Sequence, residues 1–284
     1  VLIQQIVEKA DSGACVGWVR NTVADAREGY QLLAKQWPDD RLTLFHARFA
    51  MGDRLEIEDR VVTDLGRSST PERRRGRIVV ATQVIEQSLD LDFDWLATDL
   101  APIDLVIQRA GRLRRHRRKA DGTPCNGPDQ RGKPILWWFA PDPVDQPDSK
   151  WVTEWLPGTA SVYPDHGKLW QTARLLQRLG GFTLPEQART LIEGVYGEIA
   201  ESVPAGLCAS TDRATGERQA QSSQARFNTL KLAEGYLATL QLWSEEGLVP
   251  TRLGDPVCIV RMLRWQDGQA SPWHNTGSAP WSAS

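Results

Sequence analysis

Seven basic residues fall within eleven positions, Arg109, Arg112, Arg114, Arg115, Arg117, Arg118 and Lys119, with no acid among them. A guanidinium stays charged and presents a planar fork of N–H donors that matches phosphate oxygens two at a time. The chemistry on offer is phosphate binding and, beyond it, stabilisation of charge on a phosphoryl group in transfer. Arg109, Arg112 and Arg115 recur at three-residue steps, which places them on one side of a helix. Three like charges so arranged repel unless an anion lies nearby. Gly111 removes side-chain bulk where such a stripe must approach a ligand or another domain. Arg114, Arg117, Arg118 and a second cluster, Arg73 to Arg75 with Arg77, read as solvated positions or non-specific contacts to a nucleic-acid backbone.

The elements that must position these residues are short. Ala14 to Val19, Leu42 to Phe45, Ile78 to Ala81, Trp95 to Leu100 and Ile135 to Phe139 are apolar runs of the kind that form buried strands. Between them lie helical patterns at Ala24 to Leu33, Met51 to Leu65 and from Ile103 to Arg109, and Leu2 to Val7 opens another. The alternation predicts an α/β lobe with a mainly parallel sheet. Ligands of such sheets bind beyond the carboxyl ends of the strands, where Asn21, Thr22, His46, Thr82, Gln83 and Asp99 fall.

After about residue 140 the texture changes. Residues 141–165 are a Pro- and Trp-rich connection, followed by helical patterns at His166 to Leu179, from Pro185, suited to a first helical turn, to about Glu201, and Ala225 to about Glu246. Gly180-Gly181 suits a helix stop. Residues 204–223, rich in small and polar side chains, read as a mobile loop, and Val257 to Trp265 as a strand. The expected division is a lobe at 1–140, a linker and mainly helical extension at 141–250, and the start of a further domain, with a tail, at 251–284.

The chain has 284 residues, 34 Lys+Arg against 36 Asp+Glu, a net charge of −2 and 40% hydrophobic residues. That supports a buried core and excludes a uniformly basic nucleic-acid coat. The four cysteines lack the close spacing of a zinc or redox motif, which fits a reducing, cytoplasmic setting. No run reaches the ~20 apolar residues of a membrane span.

The string Gln108-Arg109-Ala110-Gly111-Arg112-Leu113-Arg114-Arg115-His116 resembles the last helicase motif of superfamily-two motor proteins. Ala81 to Asp90 resembles the motif before it. The strand ending at Asn21-Thr22 and the segment Leu44 to Phe49 resemble the first motifs of a second RecA-like lobe, that of the P-loop NTPase motors. The narrower likeness, through Ser88-Leu89-Asp90-Leu91-Asp92-Phe93-Asp94 and Asp99-Leu100-Ala101-Pro102-Ile103-Asp104, is to the CRISPR-associated type I helicase–nuclease. Tyr163-Pro164, Leu169 to Thr172, Pro185-Glu186, Val195-Tyr196 and Arg252 to Pro256 extend it.

The resemblance implies a second motor lobe of an ATP-dependent single-stranded DNA translocase, a helicase–nuclease of antiviral defence recruited by a crRNA-guided surveillance complex. Arg112 and Arg115 would reach ATP across the lobe interface, Arg115 as the finger. Arg109 would tie the motif to the facing lobe, Gln108 would help order the site, and Asp90 would hold the ribose. Thr22, Thr82 and Gln83 would meet DNA phosphates, with helix capping the plain alternative for the threonines. His46 and Arg48 would line the DNA path, or His46 would simply pack. Glu86 and Gln87 would couple the DNA side to the ATP side. ATP would be shared with a first lobe, with Mg2+ accompanying it there and not bound by this chain. The phosphate loop Gly-x-x-x-x-Gly-Lys-Ser/Thr, a magnesium-binding Asp-Glu box and a His-Asp nuclease set are absent from the sequence. The chain therefore reads as a piece of a longer polypeptide, inactive alone. Another superfamily-two DNA or RNA helicase, or a non-catalytic adaptor keeping the lobe fold, stand as alternatives.

Overall fold

A computed structural model describes residues 2–86, 89–227, 263–266 and 268–272. Five parallel strands form the central sheet: β1 Val16–Val19, β2 Leu42–Phe45, β3 Ile78–Ala81, β4 Trp95–Asp99 and β5 Leu136–Phe139. Their order is β2-β3-β1-β4-β5. The register sets Val16 beside both Ile78 and Trp95, so the strands end together at one edge. β1, β3 and β4 are buried on both faces, which explains why they read as unbroken apolar runs.

Alternating side chains feed two cores. Val19, Val79, Ala81 and Leu96 point to the face covered by α3 (Met51–Leu65). Val16, Trp18, Ile78, Val80 and Ala97 point to the face covered by α1 (Leu2–Asp11) and α2 (Val23–Ala34). α2 packs on β1 at a distance that requires Gly29, where an added Cβ would stand 2.7 Å from the Trp18 ring. Thr22 caps α2: its hydroxyl accepts from the Asp25 backbone N–H at 3.0 Å and donates to the Asp25 carboxylate at 2.6 Å. A short α4 (Pro71–Arg74) precedes β3, and α5 (Ile103–Ala110) follows β4.

The extension packs directly on the lobe. α6 (Pro157–Val162), α7 (His166–Leu179), α8 (Ala188–Tyr196) and α9 (Ala205–Phe227) follow β5. Leu100 joins Trp151, Leu156 and Trp170 in one core, while Ile103 and Val106 of α5 join Leu175, Leu191 and Val195 in another. α7 is capped by Asp165 and stops at Gly180, whose φ is 63°. β6 (Leu263–Gln266) and β7 (Gln269–Pro272) form a hairpin. Among the described residues no helix is long and apolar enough to cross a membrane.

Four expectations are corrected. Residues 205–227 are a helix rather than a loop: alanine favours helix, and Leu207 and Ala214 are buried on the face toward α7. The helix expected at Pro185 starts at Ala188. The helix carrying the arginines ends at Ala110, so Arg109, Arg112 and Arg115 do not share one helical face. Arg74 and Arg118 are not solvated, being 2% and 0% exposed. The helical pattern at 228–246, and residues 251–262 and 273–284, lie outside the described residues.

Arg74 and Arg118 belong to a buried network that braces the loop after α5. Arg118 donates to Asp92 at 2.6 Å and to the carbonyls of Gly66 and Ser69 at 2.9 and 3.0 Å. Arg131 reaches Asp92, Asp94 and Asp129. Arg74 donates to Asp94 at 3.0 Å and to the Cys15 sulfur at 2.9 Å. Burial alone would raise the Asp94 pKa, but Arg74, the bonds to Cys15 and Arg131 prevail and hold it at about 2. Removing one member leaves uncompensated charge inside. Arg118→Met is expected to cost about 3–5 kcal/mol in urea unfolding, and a loss below ~1 kcal/mol would contradict the network's role. The depressed Asp94 pKa adds stability above about pH 4 that is lost as the pH falls toward 2, on the order of 2 kcal/mol. Asp94→Asn should be less stable at neutral pH, with a flatter acid limb in the same assay.

Candidate functional site

The strands end in a polar edge organised by one guanidinium. Arg109, in the last turn of α5, is 0% exposed. Its Nε donates to Glu86 Oε1 at 2.7 Å. Its Nη1 donates to Thr98 Oγ1 at 2.7 Å and the Asp99 carbonyl at 3.1 Å, and its Nη2 to Asn21 Oδ1 at 3.0 Å and Tyr163 Oη at 3.3 Å. Asn21 in turn donates to the Leu100 carbonyl and to Thr159 Oγ1, both at 2.7 Å. Gln83 donates to the Asn21 carbonyl at 2.8 Å and to Tyr163 Oη at 3.3 Å. The ends of β1 and β4, the 3-10 turn Gln83–Glu86, α5 and the extension are thus tied at one point. Arg109 is a clamp within this lobe.

Burial pushes the Glu86 carboxyl pKa up, and Arg109 offsets part of that rise. Asp99 is likewise raised by burial against the pull of Arg20, which donates to its Oδ2 at 2.8 Å.

Arg112 follows the clamp. Gly111 ends α5, and Arg112 turns back to donate to the carbonyls of Ile85 and Glu86, each at 3.0 Å. The Phe93 N–H donates to the Arg112 carbonyl and the Arg114 N–H to the Phe93 carbonyl, fixing the turn against the start of β4. Arg114 has φ 49°, an uncommon conformation for a bulky residue, imposed by that pairing. Arg115 then stands 42% exposed, with its Nε on Asp90 Oδ1 at 2.7 Å. His116 Nε2 meets the same oxygen at 2.9 Å. Burial raises the Asp90 pKa slightly, but His116 and Arg115 prevail and hold it below the usual range.

The residues expected on the nucleotide side therefore gather around two connected segments, 83–90 and 108–116. Gln108 is exposed on α5 and Gly111 caps it. The residues expected to meet nucleic acid are placed unevenly. Arg48 is exposed. Thr22 is half-buried as the α2 cap, and Gly158 of α6 comes close enough that an added Cβ would stand 2.8 Å from it. Thr82 and His46 are buried. His46 stacks on Phe49 at 4.2 Å and accepts from the Arg48 N–H, and burial pushes its pKa down. Gln87 lies outside the described residues. Among the described residues no group of three His, Cys, Asp or Glu could hold a metal ion.

Sequence reasoning put Asn21 at this edge but missed Thr159 and Tyr163 as members of it, because their place depends on how the extension folds back.

Known proteins resemble this chain in sequence and fold. The family model "CRISPR-associated nuclease/helicase Cas3, C-terminal" matches residues 12–118. The CRISPR-associated endonuclease/helicase Cas3 of Escherichia coli is 33% identical over 258 residues, 89% of this chain and 27% of that protein. The Thermus thermophilus protein of the same name is 34% identical over 272 residues, 88% of this chain and 28% of that protein. The structure of T. fusca Cas3 with AMPPNP superposes with a TM-score of 0.71 at 33% identity, covering 89% of this chain and 27% of that one. A chain of a CRISPR RNA-guided surveillance complex, pre-nicking, matches with a TM-score of 0.63 at 32% identity, over 81% of this chain and 26% of that one. This chain spans a little over a quarter of the length of these relatives. Its parallel sheet is the α/β sheet of a RecA-like lobe, and by sequence and fold the chain belongs to the CRISPR-associated Cas3 helicase–nuclease family, as a C-terminal portion.

Proposed function

We propose that this chain is the second motor lobe of an ATP-dependent, single-stranded DNA-translocating helicase–nuclease that acts with a crRNA-guided surveillance complex. Arg115 is the finger. It is the one arginine of the 109, 112 and 115 set that stands largely in solvent, and a half-exposed carboxylate holds it. An exposed ion pair is worth only about 0–1 kcal/mol, so exchanging Asp90 for a phosphate oxygen is easy. Arg112 and Arg109 hold the turn that presents it. Asp90, freed by the exchange, is placed to accept from a ribose hydroxyl, and Gln108 and Gly111 border the same surface. The exposed Arg115–Asp90 pair is the observation that carries the reading.

The chain contributes charge to the transferring phosphoryl group, and the first lobe contributes the phosphate loop. Mg2+ accompanying ATP would be held by groups outside the described residues. The strand edge with Thr22, Thr82 and Gln83, and the exposed Arg48, face single-stranded DNA, with backbone amides and hydroxyls as the donors. His46 supports that edge from beneath. Glu86 joins the two sides, since its carboxylate holds Arg109 and its carbonyl holds Arg112. The family relative found in a surveillance complex supports the choice of partner.

DNA-stimulated ATP hydrolysis by the complete helicase tests this. Arg115→Ala should lower kcat by roughly 10³-fold or more, the usual weight of an arginine finger, with stability nearly unchanged. Arg109→Ala should also abolish turnover, but with a stability loss of about 3–5 kcal/mol, because it strands Glu86 inside the lobe. Unchanged kcat in a folded Arg115→Ala protein would remove the finger and leave an adaptor.

A further inference from the structure

Arg67, just after α3, and Arg117, on the loop after α5, come from segments fifty residues apart and converge on one concavity. Arg115 and His116 complete its wall, with residues 124–126 behind them. The volume is about 450 Å³, within the range of small-ligand sites. Among the described residues no carboxylate lines it. Asp90, the nearest acid in the ion-pair pattern, is already shared between Arg115 and His116. Among the described residues the side chains of Arg67 and Arg117 pair with no carboxylate.

Placing three guanidiniums and an imidazole around one hollow costs electrostatic energy unless an anion occupies it. The two other clustered arginines nearby, Arg118 and Arg131, avoid that cost through Asp92, Asp94 and Asp129. Acids are therefore supplied where the fold needs neutrality and withheld here. The backbone holds the hollow in place: Arg118 anchors the carbonyls of Gly66 and Arg67, and the Cys125 N–H donates to the Arg117 carbonyl.

We propose that Arg67 and Arg117, with Arg115 and His116, form a polyphosphate cradle that binds the phosphate chain of a nucleoside triphosphate. The proposal rests on the reading of Arg115 as finger and adds two affinity residues to that site. Transfer redistributes the charge of the phosphate chain without changing its total, and contacts that answer to that total bind ground and transition states alike. Such contacts set KM and leave kcat alone, whereas the finger sets kcat.

Two measurements test this. The first is calorimetric binding of inorganic triphosphate to this chain. The double variant Arg67→Gln/Arg117→Gln should bind roughly 10-fold or more weakly, the weight of one or two charge-assisted bonds, while Arg189→Gln, exposed on α8, should bind as the unmodified chain does. Equal affinity in the double variant would overturn the cradle, as would an equal loss in Arg189→Gln, which would show general charge attraction only. The second is steady-state ATP hydrolysis by the complete helicase. The double variant should raise KM for ATP about 10-fold with kcat within ~2-fold, and Arg115→Ala should do the reverse. Loss of kcat in Arg115→Ala with an unchanged KM in the double variant would sink the cradle and spare the finger. Full activity in Arg115→Ala would sink the reading on which both rest.

Discussion

A guanidinium with no exposure must find acceptors for its donors, since a buried charge left unpaired costs several kcal/mol. Arg109 is that group here, and its acceptors come from the end of β1, the end of β4, the turn at 83–86 and Tyr163 in the extension. None of these segments can shift far without leaving a donor or an acceptor stranded. The carboxyl edge of the sheet is thereby rigid, and Arg112 and Arg115 follow on a turn whose starting point is fixed. The single exposed arginine of the set is held in position by a buried one six residues earlier.

A second electrostatic system holds the other side of that turn. Asp90, Asp92 and Asp94 alternate with Leu91 and Phe93 along an extended segment, and the two apolar residues are buried in the sheet core. The carboxylates engage different arginines at different depths: Asp90 near the surface with Arg115, Asp92 at the centre with Arg118, Asp94 with Arg74 and Arg131. Depth decides what each pair does. The buried pairs fix the loop at 111–131, and the exposed pair is the one proposed to exchange partners. One stretch of alternating sequence thus gives both the buried brace and the exposed contact.

The strands and most helices were legible because four- and five-residue apolar runs bounded by polar residues leave little alternative, and because Thr22 and Gly180 mark helix ends by well-understood chemistry. The motif at 108–116 drew attention to the segment that carries Arg109 and Arg112 to the carboxyl edge of the sheet. Its geometry was not legible: three-residue spacing suggested one helical face, but Gly111 stops the helix and Arg114 takes a positive φ. Arg118 and Arg74 read as solvated because arginine usually is, and only the alternating acids at 90–94 hinted at internal partners. His46 read as a candidate contact from its strand-end position, whereas Phe49 claims its ring. Residues 204–223 misled by composition, since small side chains serve a helix packed closely on α7 as well as they serve a loop. Thr159 and Tyr163 were invisible because long-range folding alone brings them to the edge.

On the proposed function, this lobe holds one half of an ATP site. The most direct measurement is ATP turnover, in the presence of single-stranded DNA, by this chain, by a separately produced first lobe of the same helicase, and by the two combined. The account predicts turnover only in the combined sample. Turnover by this chain alone, unaffected by the first lobe, would contradict it.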